Sequence, residues 1–471
     1  MPPSRAGVSS NSWQHVPHDI LLHVCHFLDA PSFFLLLDAL GTAEARGRLN
    51  PLWHLRQSCW DHRKLWPVLH LHSRVPSTYA TSPDFSAILP LYSHVVLSGE
   101  FDLNWLQTHL DPAATLEWHK VPGPQDLLCL PLSSWYATWA TLGRMTRLIL
   151  CEDGIDFVIP YLSTLRHLTS LTLCRPTYAS SMQLFSWLPT SNIVDLVVGG
   201  QSDFYVWITP TVLVHLRNWL LALPVRSLGF QQCGWDCTFA DSDSLFEALW
   251  KSTTLTSFMI DGKSGGPTTL RIHEHGLPLT LSSLTLNWCE LFSSQLVALS
   301  DALVGSNVKS LHLQAYYDPN EDEGAYDFDT TTGAEVGVVH LFQTLPKTNV
   351  IHLDMSKCRL PETTWVEVAP LVDATGLETL VLDLTDVKDL SLNRMASTFQ
   401  QGTTLRNLHL VCCTLNFGAI VGLLNVLTKQ CIPFKRVQLG ATFTMSGKEV
   451  ELLHAMARAQ SISLDAIQCG E

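Results

Sequence analysis

The chain has 471 residues, 46% hydrophobic and 15% charged, so it can bury a large core but is too long for one simple core. Several domains or an elongated repeat remain. A formal net charge of −14 with no basic run argues against a nucleic-acid partner, and no apolar run reaches the roughly 18 residues of a membrane helix.

Residues 1–12 read as a flexible tail, and MPPSRAGVSSNSW lacks the apolar core of a secretory signal. The expected location is therefore cytoplasmic and/or nuclear. The 13 cysteines, an odd number spread through apolar segments, are expected to be reduced and buried.

Residues 13–60 are expected to form a small helical domain. Pro17 precedes His18-Asp19 as a helix start. Ile20, Leu21, Val24, Phe27 and Leu28 then fall at helical spacing. Asp29-Ala30-Pro31-Ser32 breaks this helix, with Ser32 as an N-cap for a second one. Phe33–Leu40 is apolar nearly all round, so it must be buried in its own domain or against a partner. Val16-Pro17, the Asp19–Leu22 block, Val24, the Phe27-Leu28-Asp29 turn, the Leu35–Leu37 block and Pro51-Leu52-Trp53 together resemble an F-box. That resemblance implies docking on a Skp-type adaptor of a cullin–RING ubiquitin ligase. It carries the docking role to Pro17, Ile20, Leu21, Val24, Leu28 and Leu36. The bland reading is a core helical hairpin that binds nothing.

Residues 61–140 read as a linker with degenerate first repeats. WHLRQSCWDHRKLWPVLHLH, from Trp53, is expected to be helical; YSHVVLSG at Tyr92 and ATLEWHK at Ala114 look like worn repeats forming a cap. Val121–Pro131 is a Pro-rich loop.

Residues 141–471 repeat one unit. LSSLTLNWCELFSSQLVALSDAL, from Leu281, alternates leucines at a period of two and then spaces Leu296, Leu299 and Leu303 at helical intervals. Each unit is thus strand, turn and helix, and needs neighbours to bury its faces. The equivalent positions Leu148, Leu171, Leu196, Leu228, Phe258, Leu284, Leu311, Leu353, Leu380, Leu408 and Val437 lie 23 to 32 residues apart, except for 42 between Leu311 and Leu353. QSISLDA at Gln460 is a weaker last copy. Cys233, Cys289, Cys358 and Cys413 each follow their key position by five residues, in alternate repeats. This resembles the ribonuclease-inhibitor-like class of leucine-rich repeats. The expected fold class is α/β: a right-handed leucine-rich-repeat solenoid, a horseshoe or arc with parallel strands on the concave side and helices outside, behind an F-box-like helical domain. The cysteines then fill the turn after each strand.

The long gap holds an acidic insertion at 315–335, AYYDPNEDEGAYDFDTTTGAE. Its carboxylates do not match a calcium loop, because Glu323 stands where a glycine is required. Tyr316, Tyr317, Tyr326 and Phe328 make it a candidate partner tether. His23-Val24-Cys25-His26, His273-Glu274-His275 and the Cys233/Cys237 pair lack zinc-site spacing. No nucleophile elbow or phosphate loop is present. Neither cofactor nor metal is expected, and no catalytic residue is assigned.

Function is therefore expected in a surface. Residues between and after the strand leucines point out of the sheet. Thr285, His312, Asp354 and His409 fall in one outward column, and Asn287, Gln314, Ser356 and Asp383 in its neighbour. Small, neutral and acidic, they suit a protein ligand of modest basic character. The expected role is the substrate-recognition subunit of a Skp–cullin–F-box type ubiquitin ligase, not itself an enzyme, with an adaptor and an unknown protein substrate as partners. The alternative is a non-catalytic repeat scaffold or inhibitor with a decayed F-box.

Overall fold

The computed structural model describes residues 18–58, 60–73, 79–124, 126, 131–142, 144–199, 206–261, 270–287, 293–314, 334–358, 360–383, 385, 387–399, 404–411, 413, 415–429, 436–439, 446–459 and 462–465. The chain forms two compact units. Met1–Leu184 with Ser191–Ile193 make the first, and Phe185–Thr190 with Val194–Glu471 make the second. Pro17, Cys289 and residues 315–333 of the acidic insertion lie outside the described residues.

The first unit begins with five short helices: α1 (His18–Cys25), α2 (Ala30–Ala39), α3 (Ala43–Arg46), α4 (Asn50–Gln57) and α5 (His62–Leu65). The N-cap of α2 is Asp29, whose carboxylate accepts from the Ser32 backbone N–H at 2.9 Å. Ser32 is therefore the residue that is capped, and Asp29 is the cap. The helices close around two tryptophans. Trp66 is buried, stacks on Phe33 at 4.1 Å and donates to the Leu28 carbonyl at 3.2 Å. Trp53 donates to Asp38 at 2.9 Å and lies 3.9 Å beneath the buried Arg46 guanidinium. Arg46 in turn donates to the Leu37 carbonyl at 2.8 Å, which ties α3 to α2.

Five parallel strands follow in sequence order: β1 (Leu69–Ser73), β2 (His94–Gly99), β3 (Thr115–His119), β4 (Arg144–Cys151) and β5 (Ser170–Cys174). The reading of residues 53–72 as one helical stretch is corrected at its end. α5 stops at Leu65, and Leu69 and Leu71 alternate inward from β1, a period only a strand can use. The worn repeats at Tyr92 and Ala114 are strands β2 and β3. Their core uses aromatics: Trp118 of β3 packs edge-on against Trp135 at 5.6 Å.

The second unit contains β6 (Asp195–Gly199), β7 (Val206–Ile208), β8 (Ser227–Gln231), β9 (Cys233–Trp235), β10 (Ser257–Asp261), β11 (Ser283–Asn287), β12 (Ser310–His312), β13 (His352–Asp354), β14 (Thr379–Val381), β15 (Asn407–Leu410), β16 (Arg436–Leu439) and β17 (Ser463–Asp465). Strands β6, β8 and β10–β17 pair in chain order, all parallel and in matched register. β7 and β9 form a separate parallel pair. Both units have the strand-turn-helix alternation of a leucine-rich-repeat solenoid.

The eleven key residues from Leu148 to Val437 are all buried. At roughly 25 cal/mol per Å² of apolar surface, this inner column is the main source of stability. The helices bury the complementary stripe: Ser293–Leu303 contributes Leu296, Leu299 and Leu303. The next helix, Ala334–Thr344, approaches it at Gly337, where an added Cβ would stand 2.8 Å from Leu296 Cβ. Only glycine fits that contact.

Polar bonds link successive repeats. Three residues before their strands, Thr254, Thr280, Asn307, Asn349 and Thr404 each donate a side-chain hydrogen bond to a carbonyl of the preceding repeat, at 2.7 to 2.9 Å. The turn cysteines do likewise. Cys233 donates to Val198 at 3.5 Å, Cys358 to Leu313 at 2.9 Å and Cys413 to Leu382 at 3.1 Å. All three are buried, and burial pushes the Cys233 thiol up to about 12. They are structural donors.

Candidate functional site

Two surfaces hold the residues singled out in the sequence. The first is on α1 and α2. Ile20 is 55% exposed, Val24 42%, Phe27 79% and Leu35 65%. Ile20 and Val24 stand four residues apart on α1, which puts them on one face, and Phe27 follows in the turn after that helix. Leu28 and Leu36 are half-buried. Leu21, by contrast, is only 3% exposed. Its assignment to a docking surface is corrected: it points into the helical core. Phe27 and Leu35 take its place among exposed groups. Their sequence signal was present in the Phe27-Leu28-Asp29 turn and the Leu35–Leu37 block, but periodicity alone did not show which face was covered. The two histidines of the His23–His26 segment have separate ring partners. His23 meets Phe27 edge-on at 5.4 Å and His26 stacks on Trp66 at 5.0 Å. Between them Cys25 is buried, which pushes its thiol up to about 11.

The second surface is the outward side of β10–β15. Register pairs Met259 with Thr285, Thr285 with His312, His312 with Asp354, Asp354 with Val381, and Val381 with His409, so the expected first column is continuous. At its centre stands Asp354. Its carboxylate accepts from Gln314 Nε2 at 2.7 Å, from Ser356 Oγ at 2.6 Å and from the Ser356 backbone N–H at 2.9 Å; His312 Nδ1 lies 3.4 Å away. Burial alone would raise this carboxyl. The bonds from His312, Ser356 and Gln314 outweigh it and hold the group well below the usual carboxylate range. Gln314 also uses its backbone N–H on Asn287 Oδ1 at 3.3 Å.

The structure thus joins Asn287, Gln314, His312, Asp354 and Ser356 in one network. Asp354 and Ser356 are buried, so they position the others more than they meet a ligand. Asp383 stands apart from this network, accepting from the Val411 N–H at 2.7 Å, and burial raises its carboxyl. Thr285 and His409 belong to the column through register. His352, not singled out in the sequence, packs its ring 5.0 Å from His312, and burial lowers its basicity.

Sequence reading also missed a polar cluster on the first unit. Glu117 of β3 has His94 Nε2 and His119 Nε2 at 3.3 Å from its two oxygens and Arg147 at 3.9 Å. The signal was the alternate placement of histidines in LHLHS, HVVLSG and TLEWH, which puts them on one side of the sheet.

No protein family matches the sequence, and no curated protein matches it. Solved structures do. A chain of the complex of Rad7 and Elc1 in yeast is 12% identical, with 96% of this chain and 91% of that chain covered and a TM-score of 0.43. A Bacteroides fragilis protein is 12% identical, with 62% and 70% covered and a TM-score of 0.34. The assignment to the leucine-rich-repeat class rests on the strand register and the buried leucines.

Proposed function

We propose that this chain is a non-catalytic substrate-recognition subunit of a Skp–cullin–F-box type ubiquitin ligase, acting in the cytoplasm, the nucleus or both. In this reading α1 and α2 dock a Skp-type adaptor, and the outward face of β10–β15 holds the protein to be modified. The observation that carries the reading is the exposed apolar set Ile20, Val24, Phe27 and Leu35. Several large apolar side chains exposed along one short segment are what contact with a partner would bury. The resemblance of the same segment to an F-box names the partner class. The repeat face would contribute by proximity, raising the local concentration of substrate lysines near the charged conjugating enzyme. Transfer chemistry belongs to other subunits.

The test is a pull-down of the full chain with a Skp-type adaptor, comparing the native sequence with Ile20→Asp/Val24→Asp. Two carboxylates on the docking face would be desolvated without partners, so the double variant should lose the adaptor. A folded native chain that captures no adaptor overturns the receptor reading and favours a repeat scaffold or inhibitor.

A further inference from the structure

Apart from both surfaces, the first unit carries two thiols side by side. Cys151 and Cys174 are register partners at the C-terminal ends of the parallel strands β4 and β5. Leu148, Leu150, Leu171 and Leu173 are buried on the inner side, so alternation directs both cysteines to the outer side, where both are half-exposed. Neighbouring strands stand about 4.8 Å apart, and a side-chain hydrogen bond joins the two residues. Neither is in a disulfide. That hydrogen bond, then burial and the charge of its neighbour, raises Cys174 far above an ordinary thiol. Cys174 therefore keeps its proton at neutral pH.

We propose that Cys151 and Cys174 form a bidentate binding site for trivalent arsenic compounds. An organoarsenic oxide, R–As=O, condenses with both thiols. Two As–S bonds form and the As–O bonds break. Both thiol protons leave with the oxygen as one water molecule, and arsenic stays trivalent. The product is neutral, so the half-buried site is spared the cost of two thiolates. The second As–S bond closes within one molecule, where the effective concentration of the remaining thiol is high. The turn cysteines Cys233, Cys358 and Cys413 lack this arrangement, since each gives its thiol to a backbone carbonyl.

Phenylarsine oxide added to the native full chain, with excess 2-mercaptoethanol to suppress capture by single thiols, tests the assignment by peptide mapping. The expected product is one arsenic bridging the peptides that contain Cys151 and Cys174, released by a dithiol competitor. Cys151→Ser and Cys174→Ser, each checked for native circular dichroism, should each weaken capture at this site about 100-fold or more, the loss expected when a second linked contact is removed. If one variant misfolds, the other gives the same reading. A bridged adduct missing from the native chain, or capture undiminished in a folded single variant, overturns the proposal.

Discussion

At the scale of single residues, the repeats are held by a few polar atoms placed against carbonyls that hydrophobic burial would otherwise strand. Thr280 Oγ1 donates to the Leu255 carbonyl at 2.7 Å. Thr280→Val keeps the shape and removes the donor, so it should cost about 1 kcal/mol in urea unfolding. A variant as stable as the native chain would show that water satisfies that carbonyl. Asp354 is a sharper case because four donor atoms converge on it. Asp354→Ala leaves Gln314, Ser356 and His312 without their acceptor and should destabilise by about 1–3 kcal/mol at neutral pH. The sign with pH follows from the depressed carboxyl. Its stabilisation is fully present above the unfolded-state value near 4 and is lost as pH falls below it. The gap between native and variant should therefore narrow below about pH 4. A gap constant from pH 7 to pH 3 would contradict the network.

Elements show how position within a helix separates core from surface. Ile20 and Leu21 are neighbours in sequence and both apolar, yet α1 exposes the first and buries the second. Leu21→Asp should unfold the helical segment, because a carboxylate there has no partner in the core. Ile20→Asp/Val24→Asp should change stability by no more than about 1 kcal/mol, as surface substitutions usually do. Thermal melts of the two variants decide this; equal losses would mean that α1 is packed on both sides. The strands were the most legible elements. The period-two leucines fixed their place and inward face, and the buried residues from Leu148 to Val437 follow the pattern position by position. The short helices were less legible. Capping by Asp29 instead of Ser32 depended on backbone geometry that two polar candidates three residues apart leave open. β1 was read as helical because the alternation of Leu69 and Leu71 is only two leucines long and ends a stretch, Trp53–His72, that is rich in aromatics and histidines. The β7–β9 pair carried no signal, since strands of three residues are too short to show a period.

For the whole molecule, the strand column explains why the sequence foretold surfaces more readily than sites. A solenoid repeats one packing rule, so inward residues are constrained and outward residues are free to vary with function. The outward column Thr285, His312, Asp354 and His409 was legible from register alone. What register could not reveal is that Asp354 and Ser356 are consumed by internal bonds, leaving His312, Gln314 and Asn287 nearer the outside. The central claim concerns the other end of the chain, where Ile20, Val24, Phe27 and Leu35 are exposed. Hydrogen exchange of the full chain, with and without a purified Skp-type adaptor, tests it most directly. The account predicts that adaptor slows exchange across residues 18–39 and leaves β10–β15 unchanged. Unchanged exchange in that segment at saturating adaptor, or protection confined to the strands, would contradict it.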